Sequence, residues 1–146
     1  MSTPTSTEAV ALAVAGRLGA FSLPEGAEAP HLWGTRCKDC AAVDFPPTRH
    51  CPRCSSTLLE RVPLSRRGEL HSWSTVYQDP GPSFIGDKPY TIVTVDLPEG
   101  VRVVSTLSTP MRPEALHQGL ALELEVLEVG RDGHGAPVYD FRFRRP

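Results

Sequence analysis

Residues 37–54 read CKDCAAVDFPPTRHCPRC, and this stretch decides the fold. It holds all four cysteines of the chain, as two Cys-x-x-Cys pairs ten residues apart. A Cys-x-x-Cys turn puts two sulfurs on one side of a tight loop. Two such turns facing each other make a tetrahedral S4 cage, the geometry that suits zinc. The spacing Cys37, Cys40, Cys51, Cys54 is that of a zinc ribbon.

Other chemistries use the same residue type. Iron in a rubredoxin-like site takes the same four ligands, so the ligand set alone leaves zinc and iron open. Disulfides need an oxidising compartment. The N-terminal stretch MSTPTSTEAVALAVAGRLGA carries no basic residue before its short apolar run. It does not read as a secretory signal, and the expected location is the cytoplasm. A thioredoxin-like redox pair uses one Cys-x-x-Cys near a βαβ pattern, and no such pattern is present.

Four cysteines fill a tetrahedral metal completely, whereas a catalytic zinc keeps one position for water. The expected metal is therefore structural. Within the loop, the large apolar side chains are chiefly Val43 and Phe45, too few for a core. Structural zinc contributes on the order of 10–16 kcal/mol in small modules, so metal plus packing on a neighbouring domain can hold the ribbon. Pro46, Pro47 and Pro52 stiffen it.

The chain has 146 residues, with 12 glycines and 15 prolines, a balance of short strands and turns. No apolar run approaches the roughly 20 residues that span a bilayer, so no membrane partner is expected. The formal net charge is −2, and a zinc tetrathiolate makes it more negative. That argues against nucleic acid, whose binding footprint is strongly basic.

Three units follow: an N-terminal helix and linker over 1–30, a rubredoxin-like zinc ribbon over 31–62, and a barrel over 63–146. EAVALAVAGRLGA (8–20) reads as the helix and SLPEGAEAP (22–30) as its linker. HLWGTRC enters the first knuckle extended, and TLLERVPL leaves the second as a strand. GELHSWSTVYQ (68–78) alternates in part, with Leu70, Ser72, Ser74 and Val76 on one face and His71, Trp73, Thr75 and Tyr77 on the other. YTIVTVDL and VRVVSTLS flank PEG, where Gly100 is free to take positive φ. PEALHQG (113–119) has the proline start and glycine stop of a short helix. LALELEVLEV puts Leu120, Leu122, Leu124 and Val126 on one face. VYDFRFRR puts Tyr139, Phe141 and Phe143 opposite Asp140, Arg142 and Arg144.

Five strands with a helical piece between the third and fourth is the element order of an OB-fold. The fold class is therefore mainly β: N-terminal helix, zinc ribbon, then a five-stranded OB-fold barrel. OB ligand surfaces often use the loops after the first and fourth strands. Here these are DPGPSFIGDKP (79–89) and GRDGHGAP (130–137). The first is long and carries Phe84 and Ile85, apolar residues suited to a buried partner contact. Tyr90, just after it, joins them as a candidate.

A helix, then CKDCAAVDFPPTRHCPRC, then a barrel with KPYTIVTVDLPEGVRVVSTL resembles the acyl-CoA-associated proteins built from a rubredoxin-like zinc ribbon and an OB-fold. The FPP before the second knuckle, CPRC, and the PY…LPEGVRV run carry the match, over about residues 10–144. The resemblance implies a non-catalytic partner of a thiolase-superfamily enzyme (a thiolase, aldolase or acyltransferase) in a hetero-oligomer, with a CoA ester at a shared interface. The family often has glycine after the second cysteine of the first knuckle. Here Ala41 stands there, where positive φ is at issue.

Arg66 and Arg67 are candidates for a CoA phosphate or a partner carboxylate, against the plainer reading of solvated linker charges. Arg36, Lys38, Arg49 and Arg53 read as offsets to the negative metal centre. His50 is a surface neighbour of Cys51, since the cage is already full. His71, His117 and His134 are scattered, and no G-x-S-x-G, phosphate loop or His-x-x-x-His pair is present, so no independent active site is expected. The competing function is a single-stranded nucleic-acid-binding OB-fold, opposed by the acidic charge and an aromatic content of 7%.

Overall fold

The computed structural model describes residues 20–23, 28–77, 89–131 and 133–146. These form two sheets around one hydrophobic core. Among the described residues there is no α-helix. The helix expected over 8–20 lies outside them, except for Ala20, which sits in a bend.

The first sheet is the ribbon. Its strands are β1 (Trp33–Cys37), β2 (Val43–Asp44) and β3 (Leu59–Pro63), in the order β2-β1-β3, all antiparallel. β1 ends on the first metal-ligand candidate, Cys37, and β3 carries the chain from the second knuckle to the barrel. Gly34 lets β1 lie close to its surroundings: a Cβ there would stand 2.8 Å from the Asp44 carbonyl and 3.0 Å from Leu64.

The second sheet holds β4 (Arg67–Val76), β5 (Tyr90–Asp96), β6 (Arg102–Thr106), β7 (Ala121–Arg131) and β8 (Pro137–Arg144). Their order is β6-β5-β4-β7-β8. A parallel bridge from Leu107 to Phe143 brings the two edges together, and the Ser108 N–H donates to the Phe143 carbonyl at 2.9 Å. The result is a near-closed five-stranded barrel of OB type. Its interior takes the alternate residues of each strand: Val93 and Val95, Val103, Leu122 and Leu124, Phe141 and Phe143.

Three local expectations meet the structure differently. Gly100 does take φ +86, closing the β5–β6 turn with its N–H on the Leu97 carbonyl at 3.0 Å. The helix expected over 113–119 is a single 3-10 turn, Pro113–Ala115. Leu116 leaves that turn extended and buries its side chain, so no further helical turn can form. The alternation expected along β4 breaks at a bulge between Leu70 and Ser72. Directly opposed residues share a face of a sheet. Leu70 opposes Val95, but past the bulge it is Trp73 that opposes buried Val93, and Thr75 that opposes buried Thr91. One extra residue therefore moves Ser72 and Ser74 to the outside.

Gly68 is where β4 enters the barrel. A Cβ there would lie 2.5 Å from the Asp96 carbonyl oxygen and 2.7 Å from Val95, so only glycine fits this close approach.

Candidate metal centre and the surfaces around it

The two knuckles repeat one backbone pattern. In the first, the Ala41 N–H donates to the Cys37 carbonyl and the Cys37 N–H to the Ala42 carbonyl, at 2.8 and 2.9 Å. In the second, the Ser55 N–H donates to the Cys51 carbonyl and the Cys51 N–H to the Ser56 carbonyl, both at 2.8 Å. Closing each loop needs a left-handed residue just after its second cysteine. Ala41 takes φ 65 and Ser55 φ 63. The position flagged by Ala41 is thus left-handed, and an L-residue there bears a cost that glycine avoids.

The four sulfurs converge. All four Sγ atoms lie within 4.8 Å of one another, and the pairs Cys37–Cys54 and Cys40–Cys51 are 3.5 Å apart. A tetrahedral ion with metal–sulfur bonds of about 2.3 Å needs sulfur–sulfur edges of about 3.8 Å. The donor set and its size fit one such ion. Cys37 and Cys51 are buried, while Cys40 and Cys54 face outward. The Ser56 hydroxyl donates to Asp39 Oδ2 at 2.5 Å, joining the knuckles side by side.

The thiols are not equivalent. The Cys37 pKa is held down to about 7, first by the backbone N–H of Cys40, 3.5 Å from its sulfur, against the opposing effect of burial. Cys54 is pushed up to about 12: the Ser56 backbone pulls it down, but the adjoining sulfurs, Cys37 foremost, and burial together outweigh that pull. Cys37 is thus favoured as a thiolate and Cys54 as a thiol, because adjoining sulfurs disfavour a second negative charge. A cation at the centre removes that conflict.

The ribbon is fixed to the barrel at two places. Phe45 and Phe21 both stand edge-on to Phe141 of β8, with ring centroids 5.8 and 5.7 Å away. Glu99, at the tip of the β5–β6 hairpin, accepts from both the N–H and the hydroxyl of Ser65, at 2.8 and 2.7 Å. These anchors were not singled out in the sequence. In the sequence Phe45 reads only as a loop side chain, and nothing in LPEG signals a latch to a residue 34 positions upstream.

The basic residues near the ribbon serve several ends. Arg36 pairs with Glu60 across β1 and β3, its Nε 2.8 Å from Oε1. Arg61 lies over the Trp33 ring, 4.7 Å from its centroid. Arg53 lines a groove on the outward side of the cage, together with Cys40, Cys54 and Glu99.

Arg66 and Arg67 both turn to Glu123 of β7. Arg66 Nη2 donates to the Leu124 carbonyl at 2.9 Å and lies 3.4 Å from Glu123 Oε1; Arg67 Nε donates to Oε2 at 3.1 Å. Arg144 of β8 approaches the same carboxylate at 3.7 Å. Tyr90 is half-buried at the start of β5, opposite Val76. Phe84 and Ile85 lie outside the described residues. Trp73 of β4, opposite Val93, is 39% exposed, and Tyr77, just past the strand, is 77% exposed. His71 meets Asp96 at 3.3 Å, Asp96 also holding Arg102 at 2.7 Å. Among the described residues no helix is long and apolar enough to cross a membrane.

Comparison with known proteins covers both units. Residues 24–60 match the family model described as ChsH2, rubredoxin-like zinc ribbon domain, and residues 61–127 match ChsH2, C-terminal OB-fold domain. The chain is similar to benzoylsuccinyl-CoA thiolase subunit BbsA of Thauera aromatica, 36% identical over 126 residues, covering 84% of this chain and 81% of that one. It is similar to a DUF35 domain-containing scaffold protein of Methanocaldococcus jannaschii, 32% identical, covering 77% of this chain and 80% of the relative. Among solved structures it is similar to a chain of the Ltp2-ChsH2(DUF35) aldolase, with a TM-score of 0.63 and 29% identity over 79% of this chain and 84% of that one.

Proposed function

We propose that this chain, which belongs to the ChsH2 family of zinc-ribbon and OB-fold proteins, is the non-catalytic accessory subunit of a thiolase-superfamily enzyme acting on acyl-CoA substrates. The observation that carries the reading is the length and strength of the match to a thiolase subunit, across ribbon and barrel alike. The similarity to a scaffold protein and to the aldolase chain supports it from two further directions. The site chemistry agrees. The one cluster of reactive side chains found among the described residues is a four-cysteine cage with no position left for a substrate.

On this reading the metal is zinc and its role is structural. Cys37, Cys40, Cys51 and Cys54 would hold it, and its charge would let all four sulfurs ionise. The family model supports zinc over iron by its description. A cytoplasmic setting goes with this, since reduced thiols are kept there. The enzyme partner would supply the nucleophile and the acid–base groups. This chain would present the 79–89 loop, with Phe84 and Ile85, and Tyr90 beside it, to that partner. A CoA ester would lie at the shared interface, its phosphates toward the side of the barrel where Arg66 and Arg67 meet Glu123.

The test is affinity capture of the tagged chain from its native host, with mass spectrometry of what is retained. A thiolase-superfamily enzyme in stoichiometric amount is expected. Retention of nucleic acid in its place overturns the reading in favour of the fold's other common use.

A further inference from the structure

The arginines at the closed edge of the barrel are not all spent. Arg66, Arg67 and Arg144 gather on Glu123, and Arg144 also lies 3.9 Å from Glu125. Glu125 is further occupied by the Ser108 hydroxyl at 2.6 Å. Beside this network runs a groove of about 420 Å³, lined by Thr109, Pro110, Met111, Arg112, Arg144 and Arg145. Among the described residues neither Arg112 nor Arg145 meets a carboxylate, and both are exposed. The local balance is five guanidiniums, including Arg66 and Arg67, against four carboxylates: Glu123, Glu125, Glu114 of the 3-10 turn and the terminal carboxylate of Pro146. This is a positive surface on a chain whose net charge is negative.

Its shape and lining narrow the ligand. The volume lies within the usual range for small-molecule sites. Its lining combines apolar residues, Pro110 and Met111, with guanidiniums, whose planar forks match phosphate oxygens. Arg144 is held in place by its carboxylate partners, so part of the site is preorganised. We infer that this groove binds the phosphate groups of a small phosphorylated ligand, with Pro110 and Met111 of its lining taking the organic portion next to them. The identity of that ligand as the CoA ester rests on the accessory-subunit reading; the affinity of the groove for phosphate does not.

The experiment is calorimetric titration of the full-length, metal-loaded chain with three probes: CoA, adenosine 3′,5′-bisphosphate and inorganic pyrophosphate. The comparison is the double variant Arg112→Gln/Arg145→Gln, with Arg102→Gln as a control on β6, where the side chain pairs with Asp96 and takes no part in the groove lining. Both groove arginines are exposed, and an unchanged melting temperature verifies that the variant folds. CoA and the bisphosphate are expected to bind, and the double variant to weaken both by about tenfold or more, as for loss of charge-assisted pairs. The control is expected to bind as the parent does. Pyrophosphate binding as well as the nucleotides would assign the affinity to phosphate alone, within the inference. No saturation by any probe, or equal binding by the double variant, overturns it. So does a double variant that loses its protein partner while no phosphate probe binds, since the guanidiniums would then grip partner carboxylates. Partner capture and turnover, measured separately, decide the accessory reading, so the two can fail independently.

Discussion

Phe45 of the ribbon stands edge-on to Phe141 of the barrel, ring centroids 5.8 Å apart and planes at 87°. This is the quadrupole-favoured arrangement of two aromatic rings. It makes the FPP stretch an inter-domain anchor as well as a spacer between knuckles. Phe21 adds a second edge contact to the same ring, so Phe141 gathers the N-terminal segment, the ribbon and the barrel into one core.

Phe45→Ala should therefore cost about 2 kcal/mol, below the range for a fully buried phenylalanine because Phe45 is only partly buried. Phe141→Ala should cost more. A double-mutant cycle read by urea unfolding should give a coupling of about 0.5–1.5 kcal/mol between them. Strict additivity would show that the rings do not interact in solution.

Ala41→Gly should stabilise the first knuckle. Alanine at φ 65 bears a left-handed penalty that glycine does not. The expected gain is about 1 kcal/mol, seen as tighter retention of metal against a chelator and a higher melting temperature. Ser55→Gly should act in the same direction in the second knuckle. A loss of stability in both would mean that these turns are not left-handed.

Gly68→Ala should harm the barrel while sparing the cage. A methyl placed 2.5 Å from the Asp96 carbonyl oxygen must push β5 away. A loss of about 2–3 kcal/mol or more is expected, with metal content unchanged. Wild-type stability would place the β4–β5 approach elsewhere.

His31 gives a pH signature. Its pKa lies below 6.5, first because burial disfavours the imidazolium, with Glu28 partly opposing. The unfolded chain takes up the proton near 6.5 and the native chain resists it. This contribution to stability is full above that pH and is lost as pH falls through the lowered native value. His31→Gln should flatten the stability profile in that acid window, measured by urea midpoints. An unchanged slope would mean that the ring is not desolvated.

Removing the metal should unfold the ribbon. Cys37→Ser, or chelation of the parent chain, should release one ion per chain and lower the melting temperature sharply. A Cys37→Ser protein that keeps its metal and its stability would show that the ligand set is different.

The cage and the barrel were legible because each leaves a local mark: cysteine spacing for one, period-two alternation for the other. Gly100 was legible for the same reason, from the PEG turn, whereas positive φ at Ala41 came into question only through the family resemblance. Long-range relationships were not. The bulge at His71 reverses which residues of β4 face inward, and no local pattern in LHSW announces it. Glu99 reaching Ser65, and Arg66 and Arg67 turning to Glu123, depend on strand pairing that the sequence does not spell out. The groove at Arg112 and Arg145 joins two segments more than thirty residues apart. The bias of RFRRP toward positive charge was its only sequence signal.

The most direct measurement is acyl-CoA turnover with purified components: this chain alone, its captured thiolase-superfamily partner alone, and the two mixed at equal concentration. The accessory reading requires no turnover by this chain alone and a clear gain on mixing, with a stoichiometric complex by size-exclusion chromatography. Robust turnover by the isolated chain, or a partner whose activity and assembly are indifferent to it, would contradict the reading.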